Sequence, residues 1–532
     1  MAQPVSAAFV AAEQASGATF YIGAQVAWQE TLNSTYQFFT IGTSVIGGPD
    51  FLPGTQTYPT MMDKYQYTDE SAYILGYMVT RSLGQYPYGV ITANASLTLD
   101  NTTMRYTPGY DPTIGQYVGL SGRPVKMTFG YTGAESIGLF AGYTSGPAQA
   151  IADRSVTQNM YDAMNYLNLY TSTTTPTQVN VTADQIIIAL LQEAGLTSEQ
   201  YYVEQSTQGP IGYFSPYGML IGDILTDVCE AEQGIAFFDE NGLFNFWNRN
   251  HIANITSPTW TFDYNSIIDV QTEQTPVINS VEVTATPRAV QGTQLVWQLT
   301  SSFEVPPNGT YSLQVDFTDS YGDMPVTSLD TPTYQPNGAT DSFFQTNSAS
   351  DGSGTPVSGI TVGSVTLNGT SATIVFNSLT SSPAYVTTLL LYGTPAIVTY
   401  QIDQTYSNSN SIFQNGNNPA NNGLPLEISN DLIQTPSTAL SNAYILVTDY
   451  ATPNVRVIAD VFEVPQLQIG DMVTINFNDS NTSGNYTLVG ITETLDAQSG
   501  FSMELELEIK HLVHYFTINV STVGGSDIIA PG

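Results

Sequence analysis

The sequence predicts a mainly β fold with a minor α+β part. Short runs in which apolar and polar residues alternate recur along most of the chain, the two-residue period of a half-buried strand. Asn-Gly, Asn-Pro and Gly-rich turn signals separate these runs. Only one block, near residues 180–235, carries the longer period of amphipathic helices.

Residues 1–60 are weakly patterned, with strand-like pieces at Ala18–Ile22 and Tyr36–Thr40. Beyond about residue 70 the alternation sharpens. Ala93–Leu99 places Ala93, Ala95, Leu97 and Leu99 on one face of a strand, and Asp100-Asn101 breaks it. Pro124–Phe129 and Leu139–Tyr143 are further strands, which makes a first β domain of roughly 60–150.

The next block mixes helix and strand. Thr182 and Gln185 have capping-box spacing, the run Ala183–Ala194 follows, and Gly195 stands where a helix-ending glycine belongs. A second helix is expected over Met219–Gln233, stopping at Gly234, with Leu220, Ile224, Val228 and Ala231 on one face. Ile235–Asp239 and Leu243–Trp247 flank Glu240-Asn241-Gly242, and Asn-Gly between two apolar runs is a strong hairpin signal. The tip acids Asp239 and Glu240 read as a solvated turn rather than an acid/base or metal site.

Strands return at Thr259–Phe262 and Val281–Ala285. Residues 290–400 are Thr-, Ser- and Gly-rich, with strands at Ser312–Phe317, Ser371–Phe376 and Tyr385–Tyr392, the pattern of a separate sandwich. Gln404–Asn430 is Asn-rich and loop-like. Asn454–Phe462, Met472–Phe477, Tyr486–Leu495 and Ser502–Ile509 then alternate well, with a turn at Ile469-Gly470-Asp471.

Composition narrows the function. Charged residues make up only 11% of the 532 residues, against about 25% in ordinary globular domains. Lys+Arg 10 against Asp+Glu 46 gives a net charge of −36. Such a chain repels nucleic acid and anionic lipid at a distance and has no basic footprint for phosphate. No run reaches the roughly 18 apolar residues of a membrane span, and the N-terminus has no basic, apolar leader. The one cysteine, Cys229, excludes an internal disulfide and reads as a buried structural thiol.

Signs of chemistry are sparse. No nucleophile elbow, HExxH, CxxC or phosphate-binding loop is present. His251, His511 and His514 lie in no recognisable motif. Asp316, Asp319 and Asp323 are close enough to suggest Ca²⁺, but the EF-hand spacing is not met and a polar loop is the simpler reading. No catalytic, cofactor-binding or metal-binding residue is assigned, and no cofactor is expected. Glycosidase carboxylates leave no signature, so release of sugar from a cell-wall or capsular polysaccharide would count against a purely structural role.

Three stretches resemble one family. Residues 93–129 (ANASLTLDNTTMRYTPGYDPTIGQYVGLSGRPVKMTF), followed by Leu139-Phe140-Ala141-Gly142, are similar to a motif of siphophage minor tail proteins. Ala231-Glu232-Gln233-Gly234 with Phe237-Phe238-Asp239-Glu240-Asn241-Gly242 resembles their helix–hairpin element. Leu467–Ile475 (LQIGDMVTI) resembles their C-terminal strand pair, and Thr361–Pro395 is similar to a domain placed between the last two. The family is the tail-tip, or baseplate, hub of phages, most like those of actinobacterial hosts. The resemblance covers about 75 to 510 in consistent order and leaves the first 60 residues unmatched. One departure is Gln233-Gly234, where the family has Gly-Gly, so that only Gly234 is left as a candidate left-handed helix cap.

The resemblance implies tube-like β-barrel domains plus an inserted β-sandwich. It divides the chain into an N-terminal segment 1–60, a first tube-like domain 61–150 and an α+β domain 151–254. A second tube-like domain follows at 255–290 and 450–515, with the inserted sandwich and Asn-rich loop at 291–449 and a C-terminal tail at 516–532. It also implies a non-enzymatic structural protein of the virion tail tip, made in the host cytoplasm. Its expected partners are two further copies in a homotrimer, a distal tail protein ring, the tape measure protein and other minor tail or receptor-binding proteins. DNA would meet it only in transit during ejection, through a lumen expected to be acidic so that phosphates slide without sticking, and no stable membrane insertion is expected. The competing reading is a host-surface glycan-binding adhesin or depolymerase, with aromatic residues as sugar platforms.

Overall fold

The computed structural model describes residues 2–15, 19–28, 65–83, 88–106, 109–111, 116–118, 121–146, 149–150, 154–255, 257–477, 482–496 and 500–509. The expected strand at Tyr36–Thr40, His511, His514 and the tail 516–532 lie outside them. The fold is mainly β, and its largest element is one 14-stranded sheet. In spatial order the sheet's main path runs Ile267–Gln274, Val455–Val461, Gly500–Ile509, Gly484–Asp496, Ile74–Ser82, Asn94–Asp100, Ser155–Tyr161, Ser136–Thr144, Pro124–Tyr131, Phe20–Val26 and Thr68–Asp69.

The strands form where alternation was strongest. Along Gly500–Ile509, Met503, Leu505 and Leu507 are fully buried, while Ser502 and Glu504 face outward. Along Asn94–Asp100, Ala95, Leu97 and Leu99 point inward in the same way. Each such Leu or Met side chain contributes about 1.5–3 kcal/mol by leaving water. The sheet has two cores. One gathers Val79, Leu97, Leu99, Phe129, Phe140 and Met160, with Phe9 of the Ala7–Glu13 helix against it. The other gathers Phe262, Val457, Leu488, Met503, Leu505 and Leu507. They meet where Ile74–Ser82 pairs antiparallel with Gly484–Asp496, placing Thr80 opposite Thr492, 412 residues away in sequence.

A third core belongs to the α+β part. Helix Ala183–Glu193 carries the expected capping box of Thr182 and Gln185, and Gly195 follows it at φ +91°. Its Ile186, Ile187, Leu190 and Leu191 pack against Ile224, Leu225 and Val228 of helix Ile221–Glu232. The hairpin Ile235–Phe238/Phe244–Trp247 forms as expected, but it is buried on both faces. Ala236, Phe238, Phe244 and Phe246 enter this core, while Ile235, Phe237 and Trp247 enter the second core of the large sheet.

Two features depart from the sequence reading. The first is a 15-residue helix, Pro436–Tyr450, in a stretch expected to close the insert as sandwich and loop. Thr435 caps it through its hydroxyl, Pro436 takes the first turn, and Ala439, Ala443, Leu446, Val447 and Tyr450 join the α+β core. Strands Ile402–Ser407 and Leu426–Ser429 pair with Ser280–Ala285 beside it. Residues 402–451 therefore pack on the central part, and the sandwich core itself is built within 288–398. There the strand Ala384–Val398 pairs with five others in turn, and Val315, Phe317, Phe344, Ile374, Phe376 and Leu389 fill the interior.

The second is the end of helix Ile221–Glu232. Gln233, not Gly234, adopts the left-handed cap, at φ 55° and ψ 43°. That conformation costs a non-glycine residue about 1–2 kcal/mol. Gln233 is held there because its Nε2 donates to the Asn442 carbonyl at 3.2 Å. Gly234 is required for space: a Cβ would lie 2.6 Å from the Trp247 carbonyl oxygen. Asn442 closes the arrangement, donating from Nδ2 to the Ala231 carbonyl at 2.8 Å and accepting from Arg249 at 3.2 Å. Asn442→Ala leaves a helix-end carbonyl and a guanidinium short of a partner. It should lower unfolding stability by about 1–3 kcal/mol in urea titration; a loss under about 0.5 kcal/mol would show the helix junction to be held by apolar packing alone.

Candidate functional site

Two features stand out where the parts of the chain meet: a buried polar junction and the acidic sheet face above it. The junction centres on Glu240 at the hairpin tip. The sequence reading placed this carboxylate in solvent, but it is buried. The tip docks into the molecule and brings it inside. Glu240 lies 3.6 Å from Arg81 of strand Ile74–Ser82 and accepts a hydrogen bond from Gln468. Arg81 also donates to the Leu139 carbonyl. The tip approaches so closely that a Cβ on Gly138 would meet Asn241 Oδ1 at 2.6 Å. At the hairpin's other end, Gly470 sits at φ +87° under the ring of Trp247, again with no room for a side chain. Residues drawn from Leu139–Gly142, the helix–hairpin and Leu467–Ile475, far apart in sequence, thus converge on one point. Asp239 keeps the turn role expected of it, accepting from the backbone of Asn241 and Leu243.

Beneath this junction lies a seam of carboxyls in apolar surroundings. Glu493 is 1% exposed, and its Oε2 has no hydrogen-bond partner among the described residues. Burial pushes its pKa up to about 8, with Arg81 opposing and Glu240 adding. Burial and then the neighbouring Glu493 and Glu13 push Glu463 up to about 9. Burial raises Glu13 to about 7, partly offset by its hydrogen bond from Gln466. The hydroxyl of Tyr77 is driven well above its usual range by burial and by Glu493 and Glu463.

The opposite face of the same strands is outward and acidic. Across the sheet Asp269 pairs with Asp460, Asp460 with Glu504, Glu504 with Thr492, Thr492 with Thr80, and Thr80 with Asn94. A neighbouring row runs from Gln271 through Ile458 and Glu506 to Gly490 and Ser82, where the Ser82 hydroxyl donates to Glu506 at 3.1 Å. Arg456 is a cation of this region, 2.6 Å from Glu508 and 3.8 Å from Glu506. Like charges directly opposite destabilise a sheet. The pKa of Asp460 rises through partial burial and Asp269, and that of Glu504 through partial burial, Asp460 and Glu506. A fold that keeps such pairs over three adjacent strands, Ile267–Gln274, Val455–Val461 and Gly500–Ile509, holds an anionic patch at some cost.

The remaining sequence candidates are dispersed. Cys229 is free and buried in helix Ile221–Glu232, and burial pushes its thiol far above the usual range. His251 stacks on Trp247 at 4.0 Å and pairs through Nδ1 with Glu204 at 2.7 Å, which fixes the ring as packing. Asp319 caps a tight turn by accepting from the Tyr321 amide, and Asp316 and Asp323 are exposed. Among the described residues no group of three or more His, Cys, Asp or Glu side chains is placed to hold a metal ion. The junction itself was missed by sequence reasoning, because its members are single polar residues in apolar runs.

No family model and no curated protein matches the chain. Among solved structures it is similar to the 43 kDa tail protein of prophage MuSo2 from Shewanella oneidensis, at 11% identity and a TM-score of 0.44, covering 83% of this chain and 95% of that one. It is similar to the tail protein from Neisseria meningitidis MC58, at 9% identity and a TM-score of 0.41, covering 83% and 93%. A third likeness is prophage tail protein gp18 from Listeria monocytogenes EGD-e, at 7% identity and a TM-score of 0.40, covering 84% and 93%. Likenesses of this size leave the family unassigned, and function is read from the chain's own residues.

The seam fixes the pH dependence of stability. A carboxyl that keeps its proton up to about 8 in the folded chain loses it near 4.5 when exposed. Between those values the unfolded state binds fewer protons, so raising the pH favours unfolding. With Glu13, Glu493 and Glu463 at about 7, 8 and 9, the window runs from about 4.5 to 9. The melting temperature should therefore fall from pH 5 to pH 8.5, and Glu493→Gln should flatten that slope and stabilise the chain at pH 8. A melting temperature that rises over this range, or a slope unaffected by the substitution, would contradict the assignment.

Proposed function

We propose that this chain is a structural tail-tip (baseplate) hub protein of a bacteriophage, and not an enzyme. It closes the tail tube and forms a channel for the tape measure and for DNA. The observation that carries the reading is the convergence at Glu240. Glu240 of the second resembling stretch accepts a hydrogen bond from Gln468 of the third, and Arg81, which pairs with Glu240, donates to the Leu139 carbonyl that follows the first. Motifs alike only by chance would have no reason to share one junction.

The rest of the assignment follows from what such a protein must do. It works in the virion tail as a homotrimer, docked on a distal tail protein ring and joined by other minor tail or receptor-binding proteins. The large sheet supplies the tube wall, which divides along its two cores into the two tube-like domains. The anionic face carrying Asp269, Asp460, Glu504 and Glu506 lines the lumen. Phosphates repelled by that wall make no adhesive contacts during passage. The polar surface, with charged residues at 11%, suits neighbours held by shape and hydrogen bonds.

Oligomeric state tests this. Native mass spectrometry of the purified chain should give a trimer of the 57.4 kDa protomer. A hexamer would point instead to a distal ring component, and a monomer at micromolar concentration would remove the support for either ring.

A further inference from the structure

A cleft of about 440 Å³ opens where the sandwich meets the α+β part, within the size range of small-ligand sites. One wall carries Arg288, at the start of the sandwich, and Asp323 from the same part. The other carries Asp227 of helix Ile221–Glu232 and Asp431 after strand Leu426–Ser429. Tyr217 and Ser215 lie between them.

The polar groups in this cleft are incompletely used by the protein. The Arg288 side chain is only 7% exposed, yet its Nη1 has no partner among the described residues, and its Nη2 reaches Asp431 only at 3.9 Å. The buried Ser215 hydroxyl is likewise without a partner. Nη1 and the Ser215 hydroxyl are closed off from the cleft, so an acceptor brought into it meets Arg288 through Nη2, which Asp431 holds only at 3.9 Å. Asp227 and Asp431 offer acceptors across the gap, and Asp323 offers one on the Arg288 side. Tyr217 is 36% exposed and presents an aromatic face.

That inventory discriminates among ligands. A metal ion is disfavoured, since no group of three acidic, His or Cys side chains is suitably placed among the described residues. An anion would meet three carboxylates against one guanidinium, in a chain of net charge −36. A purely apolar ligand would leave Arg288 Nη2 without an acceptor at hydrogen-bond distance. A neutral ring bearing several hydroxyls meets every demand. Each hydroxyl both donates and accepts, so one molecule can donate to the carboxylates and accept from Arg288 Nη2. Its C–H face can lie on Tyr217. We propose that this cleft is a binding site for a neutral saccharide, held between the sandwich and the α+β part by Arg288, Asp227, Asp431 and Tyr217. Its ligand is a free sugar or a residue within a surface polymer.

The test uses the full chain with methyl β-glucoside, methyl β-galactoside and N-acetylglucosamine, their neutral tetrasaccharides, and glucuronic acid as the anionic control. Saturation-transfer NMR and calorimetry should show saturable binding of at least one neutral sugar and none of glucuronic acid. Tighter binding of a tetrasaccharide would identify a polymer segment as the ligand, and equal binding a free sugar. Tyr217→Ala and Asp227→Asn, each checked for an unchanged melting temperature, should weaken that binding at least tenfold. The proposal is overturned if no neutral sugar saturates, if glucuronic acid binds as well, or if both folded variants bind like the original chain.

Discussion

The structure depends on a hairpin that has no solvent face. Ile235–Phe238 and Phe244–Trp247 send alternate side chains into two different cores, and their tip ends on Arg81. An ordinary surface hairpin would show one polar side. Here IAFF and FNFW are apolar at nearly every position because both sides are interior. The tip must carry polar groups to turn, so burying it demands partners. Arg81 and Gln468 provide them for Glu240. Removing one member of such a buried set leaves an uncompensated charge, which costs more than the pair itself contributes. This mutual dependence ties the first half of the large sheet to the second.

Much of the architecture was legible in the sequence. Asn94–Asp100, Pro124–Tyr131 and Gly500–Ile509 alternate cleanly because one face is core and the other is not. Helix Ala183–Glu193 announced both ends through Thr182, Gln185 and Gly195. The failures have physical causes. Helix Pro436–Tyr450 is rich in Ser, Thr and Asn and sits beside an Asn-rich loop, so propensity argued against it. Its signals were the Thr435-Pro436 start and the spacing of Ala439, Ala443 and Leu446. Gln233 took the left-handed position because a tertiary hydrogen bond to Asn442 stabilises it, a contact that no local pattern encodes. Glu240 looked like a solvated turn because local sequence cannot reveal what lands on a hairpin tip. The continuity of the large sheet rests on strands more than 400 residues apart, for which single-residue patterns carry no register.

The chain's acidity divides into two populations with different consequences. Buried carboxyls such as Glu463 and Glu493 are kept protonated by apolar surroundings near neutral pH, so they add little to the effective charge. Outward acids such as Asp269, Asp460 and Glu504 stand opposite one another on adjacent strands and concentrate negative potential on one face. A net charge of −36 is therefore not spread evenly. It is suppressed in the buried seam and displayed on the sheet, as a wall along which a polyanion passes would require.

The most direct test of this account is an electron cryomicroscopy map of the assembled oligomer. The account predicts a ring of three copies whose central opening is lined by the face bearing Asp269, Asp460, Glu504 and Glu506. A ring that turns this face outward, or presents a neutral or basic wall to its opening, would contradict it.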